Sequence, residues 1–239
     1  ARSFCAIFTY FTINQESTSL TLKRYAGLTI ICTLLFSRSF TDYMTSGLEN
    51  PLSYFLVGLI ILLVNRDKFE STYLKLASIF ILLALAFLNR FDFAVLLLPL
   101  ALYITFVKNT LFSTIKASTI GILIIGSWFI FSTIYFGAPL PNTYYAKLGA
   151  AYPSIEYIER GLNYFSVTFT KDPITLLIII SGIILGLITR SGLSRALSIG
   201  MIFYTLYILK SGGDFMQSRF FAILTYISIF NLILFIRHF

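Results

Sequence analysis

Long runs of apolar side chains recur along the chain and are separated by short polar segments. Runs such as Ile174–Ile188 are largely apolar throughout and do not alternate between apolar and polar residues, which is typical of spanning helices and not of a transmembrane barrel. Phe4–Ile13 is the candidate tail of one helix. The candidate membrane spans are Tyr25–Phe40, Pro51–Val64, Tyr73–Leu88, Ala94–Val107, Leu111–Phe136, Ile174–Thr189, Ala196–Leu209 and Phe220–Ile236. The pattern therefore predicts an all-α, polytopic transmembrane helical bundle of about eight spans.

The longest polar connection, Gly137–Pro173, contains a segment with helical periodicity. Within Ser154–Thr170 the apolar positions fall on one face of a helix. They are Ile155, Ile158, Leu162, Phe165 and Phe169. The other face carries charged and amide side chains, which are expensive at the centre of a bilayer. We predict an amphipathic helix that lies on the outer membrane surface.

The composition supports a membrane protein. Hydrophobic residues make up 57% of the chain and charged residues only 12%, whereas a soluble domain carries about 25% charged residues. The mean hydropathy is +0.85. In this apolar context we attribute the net charge of +8 to basic loops beside anionic lipid and expect no nucleic-acid partner. Cys5 and Cys32 lie in apolar stretches without CxxC spacing, which supports neither a zinc site nor a disulfide framework.

Charged residues divide unevenly between the two sides of an eight-span bundle. Lys and Arg are more frequent on one side, which is therefore predicted to be cytoplasmic. Most acidic residues fall on the opposite, outer side: Asp42, Glu49, Asp92, Glu156, Glu159, Asp172 and Asp214. Because acidic residues do not set topology, we take their distribution as an indication of function on the outer side.

Four polar clusters on the predicted outer side carry the residues best suited to chemistry. They are Thr41–Pro51, Asn89–Asp92, Gly137–Lys147 and Lys210–Arg219. Ionised groups close to hydrocarbon tend to face a cavity or a partner, and Arg suits multidentate recognition of phosphate. The candidate substrate-binding residues are Asp42, Glu49, Arg90, Asp92, Asn142, Tyr145, Lys147, Asp214 and Arg219.

Each cluster also has a purely structural interpretation. Acidic and amide residues of the first cluster are suited to capping helix ends. Arg90 and Asp92 either neutralise each other or find separate partners, because residues two apart do not share a helix face. The tyrosines of the third cluster belong to an interfacial aromatic belt, or they stack on a sugar while Lys147 binds a phosphate. The segment around Gly212 and Gly213 is a plain turn, or it brings the backbone close to a ligand.

At these four clusters the chain resembles the polytopic GT-C glycosyltransferases, and in particular the mycobacterial terminal arabinofuranosyltransferases. The matching segments occur in order over most of the chain and are Thr45–Pro51, Asn89–Asp92, Phe136–Lys147 and Gly212–Arg219. The resemblance implies transfer of a sugar from a polyprenyl-phosphate donor to a glycan or protein acceptor of the cell envelope. The reaction would take place on the outer side of the inner (cytoplasmic) membrane.

The acidic catalytic motif of such enzymes lies in the first outer loop, after the first helix. No segment before Tyr25 matches that loop. We therefore leave the catalytic base unassigned and expect it upstream of this chain. The chain begins at Ala1, and we expect residues 1–239 to be a single transmembrane domain from a longer protein.

Two other classes of function are open. A transporter or flippase of a lipid-linked or small polar substrate would place its site near the bilayer midplane, on broken helices in repeated halves. A noncatalytic scaffold would leave the four clusters unconnected in space. The outer position of the charges and the lack of a visible half-repeat favour the enzyme. No P-loop, dinucleotide fingerprint or HExxH motif is present, so we do not expect a nucleotide-driven pump within this chain. We assign no metal ligand and no cofactor from the sequence.

Overall fold

The computed structural model describes residues 28, 36–65, 73–108, 111–142, 144–145 and 154–238. These residues form nine α-helices and no strand, which confirms the predicted all-α class. In chain order they are α1 (Arg38–Met44), α2 (Asn50–Asn65), α3 (Tyr73–Asn89), α4 (Phe93–Tyr103), α5 (Leu111–Phe136), α6 (Ser154–Lys171), α7 (Pro173–Ile188), α8 (Gly192–Ser211) and α9 (Phe221–His238). A π-helical stretch, Ile104–Lys108, continues α4.

The predicted apolar runs coincide with the observed helices to within a few residues. The predicted Leu111–Phe136 has the bounds of α5. The largest difference is at α8, which begins before the predicted Ala196 because Ser191 caps the helix and accepts a hydrogen bond from the Ser194 N–H. The predicted Tyr25–Phe40 lies mostly outside the described residues, and Phe4–Ile13 lies wholly outside them.

The expected count of about eight membrane spans is not supported. In the described part of the chain, two helices, α5 and α8, are long and apolar enough to cross a membrane. A third span is present if α6 and α7, which meet at a bend of 109°, are counted as one. The remaining apolar helices are shorter, and a helix of 16 residues such as α2 extends only about 24 Å against a hydrocarbon core of about 30 Å. Several of the predicted runs are shorter than the about 20 residues of a full span and reach that length only with polar flanking residues, which the observed helices do not supply.

The predicted amphipathic helix is present as α6. Four residues of its apolar stripe are exposed on the surface of the bundle: Ile155, Ile158, Leu162 and Phe169. The fifth, Phe165, turns inward and its ring lies 4.9 Å from that of Phe221. The helix is attached to the bundle through Tyr164, Thr168 and the close approach of Gly161 to the Leu209 backbone. Its apolar stripe therefore remains free to contact a surrounding apolar phase.

Helix α9 is the centre of the bundle. From Phe220 to Asn231 every side chain is buried, although the segment contains Thr225, Ser228 and Asn231. The α9 helix packs most extensively against α7 and also contacts α1, α2 and α8. At one end, the ring of Tyr54 on α2 lies 5.1 Å from the rings of both Phe40 on α1 and Tyr226 on α9. This aromatic contact fixes α1 against the two longer helices.

A buried amide joins α7, α8 and α9 in the interior. The Asn231 side-chain amide donates to the Gly182 carbonyl at 3.2 Å and to the Ser198 hydroxyl at 3.0 Å. Its oxygen accepts a hydrogen bond of 2.8 Å from the Ser194 hydroxyl. Glycine and serine let the helix backbones approach closely here, because a methyl group at Gly186 would overlap Ser198 and Asn231. Each polar atom of Asn231 therefore has a partner, which a buried amide requires.

The contact between α3 and α5 provides a stability test with an internal control. A Cβ at Gly121 would lie 2.7 Å from the Phe80 carbonyl oxygen, whereas a Cβ at Gly126 on the same helix meets nothing within 4 Å. Gly121→Ala should lower the unfolding midpoint in detergent, at a cost of about 1–3 kcal/mol for overpacking. Gly126→Ala should leave the midpoint unchanged or raise it, because Ala favours helix by about 1 kcal/mol over Gly. Equal effects of the two substitutions would contradict the observed packing of α5 on α3.

Candidate functional site

Three of the four predicted polar clusters meet at one end of the bundle. The α1–α2 connection contributes Glu49, the α3–α4 connection contributes Arg90 and Asp92, and the α8–α9 connection contributes Asp214 and Arg219. These five residues form a continuous series of ion pairs, which we call the charged network. Segments far apart in sequence are thereby joined by electrostatic contacts.

Arg90 is the buried member of the charged network, with its side chain only 6% exposed. Its Nε lies 3.1 Å from Oδ1 of Asp92 and its Nη2 lies 2.6 Å from Oδ2, which is a bidentate pair. Nη2 also donates to the Tyr204 hydroxyl at 3.0 Å, and Nη1 donates to Oδ1 of Asn50 at 3.4 Å. The two structural alternatives for Arg90 and Asp92 therefore both occur, because the residues pair with each other and also bind other partners.

The surroundings of Arg90 hold it in its charged form. Burial by itself lowers the pKa of the Arg90 guanidinium, but the neighbouring Tyr204, Asp92 and Glu49 outweigh burial and raise that pKa. The guanidinium also lies between two aromatic rings, 5.2 Å from the centroid of Phe93 and 5.1 Å from that of Phe220. These contacts fix the position of a permanent positive charge inside an apolar bundle.

Glu49 connects the two arginines of the charged network. Its Oε1 lies 2.6 Å from Nη2 of Arg219 and 3.5 Å from Nη1 of Arg90. Nη1 of Arg219 in turn lies 3.0 Å from Oδ2 of Asp214. The Glu49 and Arg219 side chains are 23% and 22% exposed, so this part of the network is open to solvent or to a ligand. Burial lowers the pKa of Arg219, but the hydrogen bond to Glu49 and the charges of Glu49 and Asp214 raise it overall.

One nitrogen of Arg219 has no hydrogen-bond partner among the described residues. Its Nε is buried and makes no hydrogen bond within the described part of the chain. In Arg90 the Nε and Nη2 edge is filled by both oxygens of Asp92. In Arg219 the equivalent edge is only half used, because Nη2 binds Glu49 and Nε binds nothing among the described residues. A buried donor without a partner is costly, and a native structure normally retains one for a reason.

The turn that carries Asp214 and Arg219 depends on unusual backbone conformations. Gly212 and Gly213 have φ of 77° and 71°, and a Cβ at Gly213 would lie 2.6 Å from the Tyr164 ring. Ser218 is the one non-glycine residue in the described ranges with positive φ, at 63°. Its carbonyl accepts a 2.6 Å hydrogen bond from the Ser39 hydroxyl, and its own hydroxyl lies 3.2 Å from that of Thr168. Helices α1 and α6 therefore hold the residue that precedes Arg219.

A buried carboxylate that the sequence analysis did not assign to the site supports this turn. Asp172 caps α7 by accepting hydrogen bonds from the Thr175 N–H and hydroxyl, and it also accepts one of 2.9 Å from the Ser39 N–H. It thereby ties α1 to the start of α7, beside the contact between Ser39 and Ser218. The acidic residue directly before Pro173 was a recognisable capping signal, but its link to Ser39 was not visible in the sequence.

Tyrosine and asparagine side chains that the sequence analysis also missed complete the site. The Tyr204 hydroxyl donates to Asp92 and accepts from Arg90. The amide of Asn89 donates to the Glu49 carbonyl at 3.4 Å and to the Ser53 hydroxyl at 2.9 Å. On the other side of the turn, the Tyr43 hydroxyl donates to the carbonyl of Gln217 at 2.6 Å. Burial, assisted by the charge of Asp214, raises the pKa of Tyr43 and keeps this donor protonated.

The remaining candidate residues lie apart from the charged network. Asp42 is exposed and its carboxylate lies 3.9 Å from Nε of Arg38, one helical turn away. Asn142 and Tyr145 are exposed, and neither makes a hydrogen bond or an ion pair with the charged network within the described ranges. Lys147 lies outside the described residues. The structure therefore brings together five of the candidates and leaves the Gly137–Lys147 cluster without an observed contact to them.

No protein-family model, curated protein or solved structure matches the chain.

The groups of the charged network define what it can do chemically. Two guanidinium groups provide donors for an anion, and Nε of Arg219 makes no hydrogen bond within the described ranges. Asp92 is fully occupied by Arg90 and Tyr204, whereas Oε2 of Glu49 makes no hydrogen bond among the described residues. In the part of the chain that is described, no group of three His, Cys, Asp or Glu residues is placed to hold a metal ion. The arrangement is suited to binding an anion beside a carboxylate.

Removal of the Tyr204 hydroxyl tests the buried part of the charged network. Tyr204→Phe takes one donor from Asp92 and one acceptor from Arg90, and should destabilise the protein by about 1.5–3 kcal/mol, as expected for hydrogen bonds to charged groups. Tyr207→Phe on the same helix is the matched control, since its hydroxyl makes no hydrogen bond within the described residues. Thermal unfolding of both variants in detergent measures the difference. Similar midpoints for the two variants would show that the Tyr204 hydroxyl is not held as observed.

Proposed function

We propose that the chain is part of a GT-C-type membrane glycosyltransferase. In this proposal it is a multi-pass protein of the inner membrane that transfers a sugar from a polyprenyl-phosphate donor to a cell-envelope acceptor on the outer side. The observation that carries the proposal is the meeting of three polar clusters in one charged network at the end of an apolar helical bundle. A lipid-linked sugar requires both an apolar surface for its tail and a polar site for its head group.

Arg219 is the best placed residue for the donor phosphate. It is partly exposed, its buried Nε makes no hydrogen bond among the described residues, and it lies shortly before the start of α9 at the boundary of the apolar bundle. A guanidinium stabilises a phosphate both in the bound donor and as it leaves with additional negative charge. Arg90 contributes a nearby fixed positive charge and not free donors at its Nε and Nη2 edge, because both of these nitrogens bind Asp92. Lys147 remains a further candidate for the phosphate.

The carboxylates of the charged network are suited to binding the acceptor. Glu49 is the most accessible, with one oxygen that makes no hydrogen bond within the described residues, and Asp214 is held beside it by Arg219. Asp92 has a supporting role, since both its oxygens hold Arg90. Asp42, Asn142 and Tyr145 are exposed candidates for outer acceptor contacts. The base that takes the acceptor proton is proposed to lie upstream of this chain.

Helix α6 supports a membrane-embedded donor. Its exposed apolar stripe suits the boundary between lipid head groups and acyl chains. The same helix places Tyr157 and Tyr164 against Gly212 and Gly213 of the turn that carries Arg219. A helix at the outer surface would thus cover the polar head of a donor whose tail lies along the bundle.

The described interior gives less support to a transporter. Such a protein needs a polar site near the bilayer midplane. The buried amide of Asn231 has Gly182, Ser198 and Ser194 as partners. It is therefore satisfied by the protein and offers no obvious group to a substrate.

Substitution of Arg219 tests the proposed function. Arg219→Ala in the full-length protein should lower sugar transfer from a polyprenyl-phosphate sugar by about 10- to 150-fold, which corresponds to loss of a charge-assisted hydrogen bond of about 1.5–3 kcal/mol. Arg219→Lys should restore activity only in part, because an ammonium group cannot reproduce the guanidinium fork. The measurement is transfer rate per folded molecule in reconstituted membranes.

Arg195→Ala is the control for loss of an arginine elsewhere. Arg195 donates to the Thr189 carbonyl at 3.0 Å, at the opposite end of α8 from the charged network, and its removal should leave transfer rate per folded molecule near that of the unmodified protein. Near-normal transfer by well-folded Arg219→Ala would remove Arg219 from the site. Absence of any transfer by the unmodified full-length protein with lipid-linked sugars would contradict the proposed function itself.

A further inference from the structure

Glu49 occupies the position of an anion between the two arginines of the charged network. Each arginine has a carboxylate of its own, Asp92 for Arg90 and Asp214 for Arg219. Glu49 is the additional, shared carboxylate, and its Oε1 contacts both guanidinium groups. Removing it would leave each arginine with a counter-charge and would expose donors of both.

The backbone of Glu49 is held by hydrogen bonds, whereas its side chain is partly exposed. The Glu49 carbonyl accepts hydrogen bonds from the Ser53 N–H at 3.0 Å and from the Asn89 amide at 3.4 Å. The carboxylate is partly exposed, and its hydrogen bond in the described residues is to Arg219. Because the carboxylate is partly exposed, a change of Glu49 rotamer toward the open side would withdraw it from the arginines without moving the backbone.

The charge balance of the network selects the anion that can replace Glu49. With Glu49 withdrawn, Arg90, Arg219, Asp92 and Asp214 have no net charge. A monoanion that takes the place of Glu49 restores the original balance, whereas a dianion adds one negative charge in a partly buried site. A phosphodiester is a monoanion, and a phosphate monoester carries a charge of about −1.5 to −2 at neutral pH.

The unused edge of Arg219 gives a phosphodiester an advantage over Glu49. The glutamate carboxylate engages only Nη2, and Nε remains buried without a partner among the described residues. A phosphate group bound at the Nε and Nη2 edge would satisfy both nitrogens, as Asp92 does for Arg90. We propose that Glu49 is an internal competitor that closes a phosphodiester site on Arg219, and that a lipid-linked phosphodiester binds by displacing it. The inference rests on the proposed function and adds how its donor site opens.

The test is the affinity of the full-length protein for decyl methyl phosphate, a monoanionic phosphodiester, in phosphatidylcholine nanodiscs. Glu49→Gln removes the competing charge with little change of shape and should bind the probe about tenfold more tightly than the unmodified protein. Glu156→Gln is the matched control, because it removes a carboxylate that pairs with Arg160 at 2.8 Å outside the charged network, and it should bind like the unmodified protein. Decyl phosphate at pH 8, where it is a dianion, should bind Glu49→Gln more weakly than the diester.

Several outcomes would overturn the inference and are distinguishable from failure of the proposed function. If Glu49→Gln and the unmodified protein bind the probe equally well and Arg219→Ala does not bind it, the phosphate site on Arg219 is supported. The proposed competition by Glu49 is then rejected. If neither the unmodified protein nor any variant binds the probe, both the phosphodiester site on Arg219 and the competition by Glu49 are contradicted. If Glu49→Gln does not fold, Glu49→Asp keeps the charge but shortens its reach and should also bind more tightly; loss of folding in both variants would identify Glu49 as a permanent structural partner and reject displacement.

A competition experiment distinguishes the donor from ordinary lipid head groups. Phosphatidylglycerol is also a phosphodiester monoanion, and it is added to the nanodiscs in place of part of the phosphatidylcholine. Unchanged affinity for the probe supports a site for a dedicated lipid-linked ligand. Strong competition would overturn that assignment and identify the ligand as bulk anionic lipid. Inorganic phosphate should not displace the probe, because it lacks the apolar tail.

Discussion

The shared contact of Glu49 with Arg90 and Arg219 connects the parts of the molecule on which the site depends. A guanidinium as deeply buried as that of Arg90 is tolerated only when carboxylates and hydrogen-bond acceptors surround it. Asp92 meets most of this requirement locally, but Glu49 and Tyr204 come from other helices. The need to compensate one buried charge therefore holds the ends of α2, α3 and α8 together. It also places the more accessible Arg219 at their junction.

Much of the fold was predictable from the sequence because backbone groups in apolar surroundings have few ways to be satisfied. A long, largely apolar run such as Leu111–Phe136 is best satisfied by a helix, and the observed α5 has those bounds. The amphipathic α6 was equally visible from the spacing of its apolar residues. The number of full spans was not predictable in the same way. An apolar run of 16 residues, as in α2, gives a strong helix signal but too little length to cross a bilayer alone.

The candidate site was predictable in its charges and not in its partners. Glu49, Arg90, Asp92, Asp214 and Arg219 stood out because ionised groups are rare in an apolar chain. Tyr204 did not stand out, since its role depends on Asp92, which lies 112 residues away in sequence. Ser39, Asp172 and Ser218 likewise act through contacts between distant segments. Asp42 carried a local signal that favoured a structural role, because Arg38 lies one helical turn before it.

Glu49 and Arg219 form a direct contact across the charged network, with 2.6 Å between Oε1 and Nη2. A double-mutant cycle with Glu49→Gln, Arg219→Gln and the double variant measures the energetic coupling between them from unfolding free energies in detergent. We expect the double variant to be less destabilised than the sum of the two single variants, by about 1–3 kcal/mol. Strict additivity of the two substitutions would contradict this expectation, because the two side chains would then not interact.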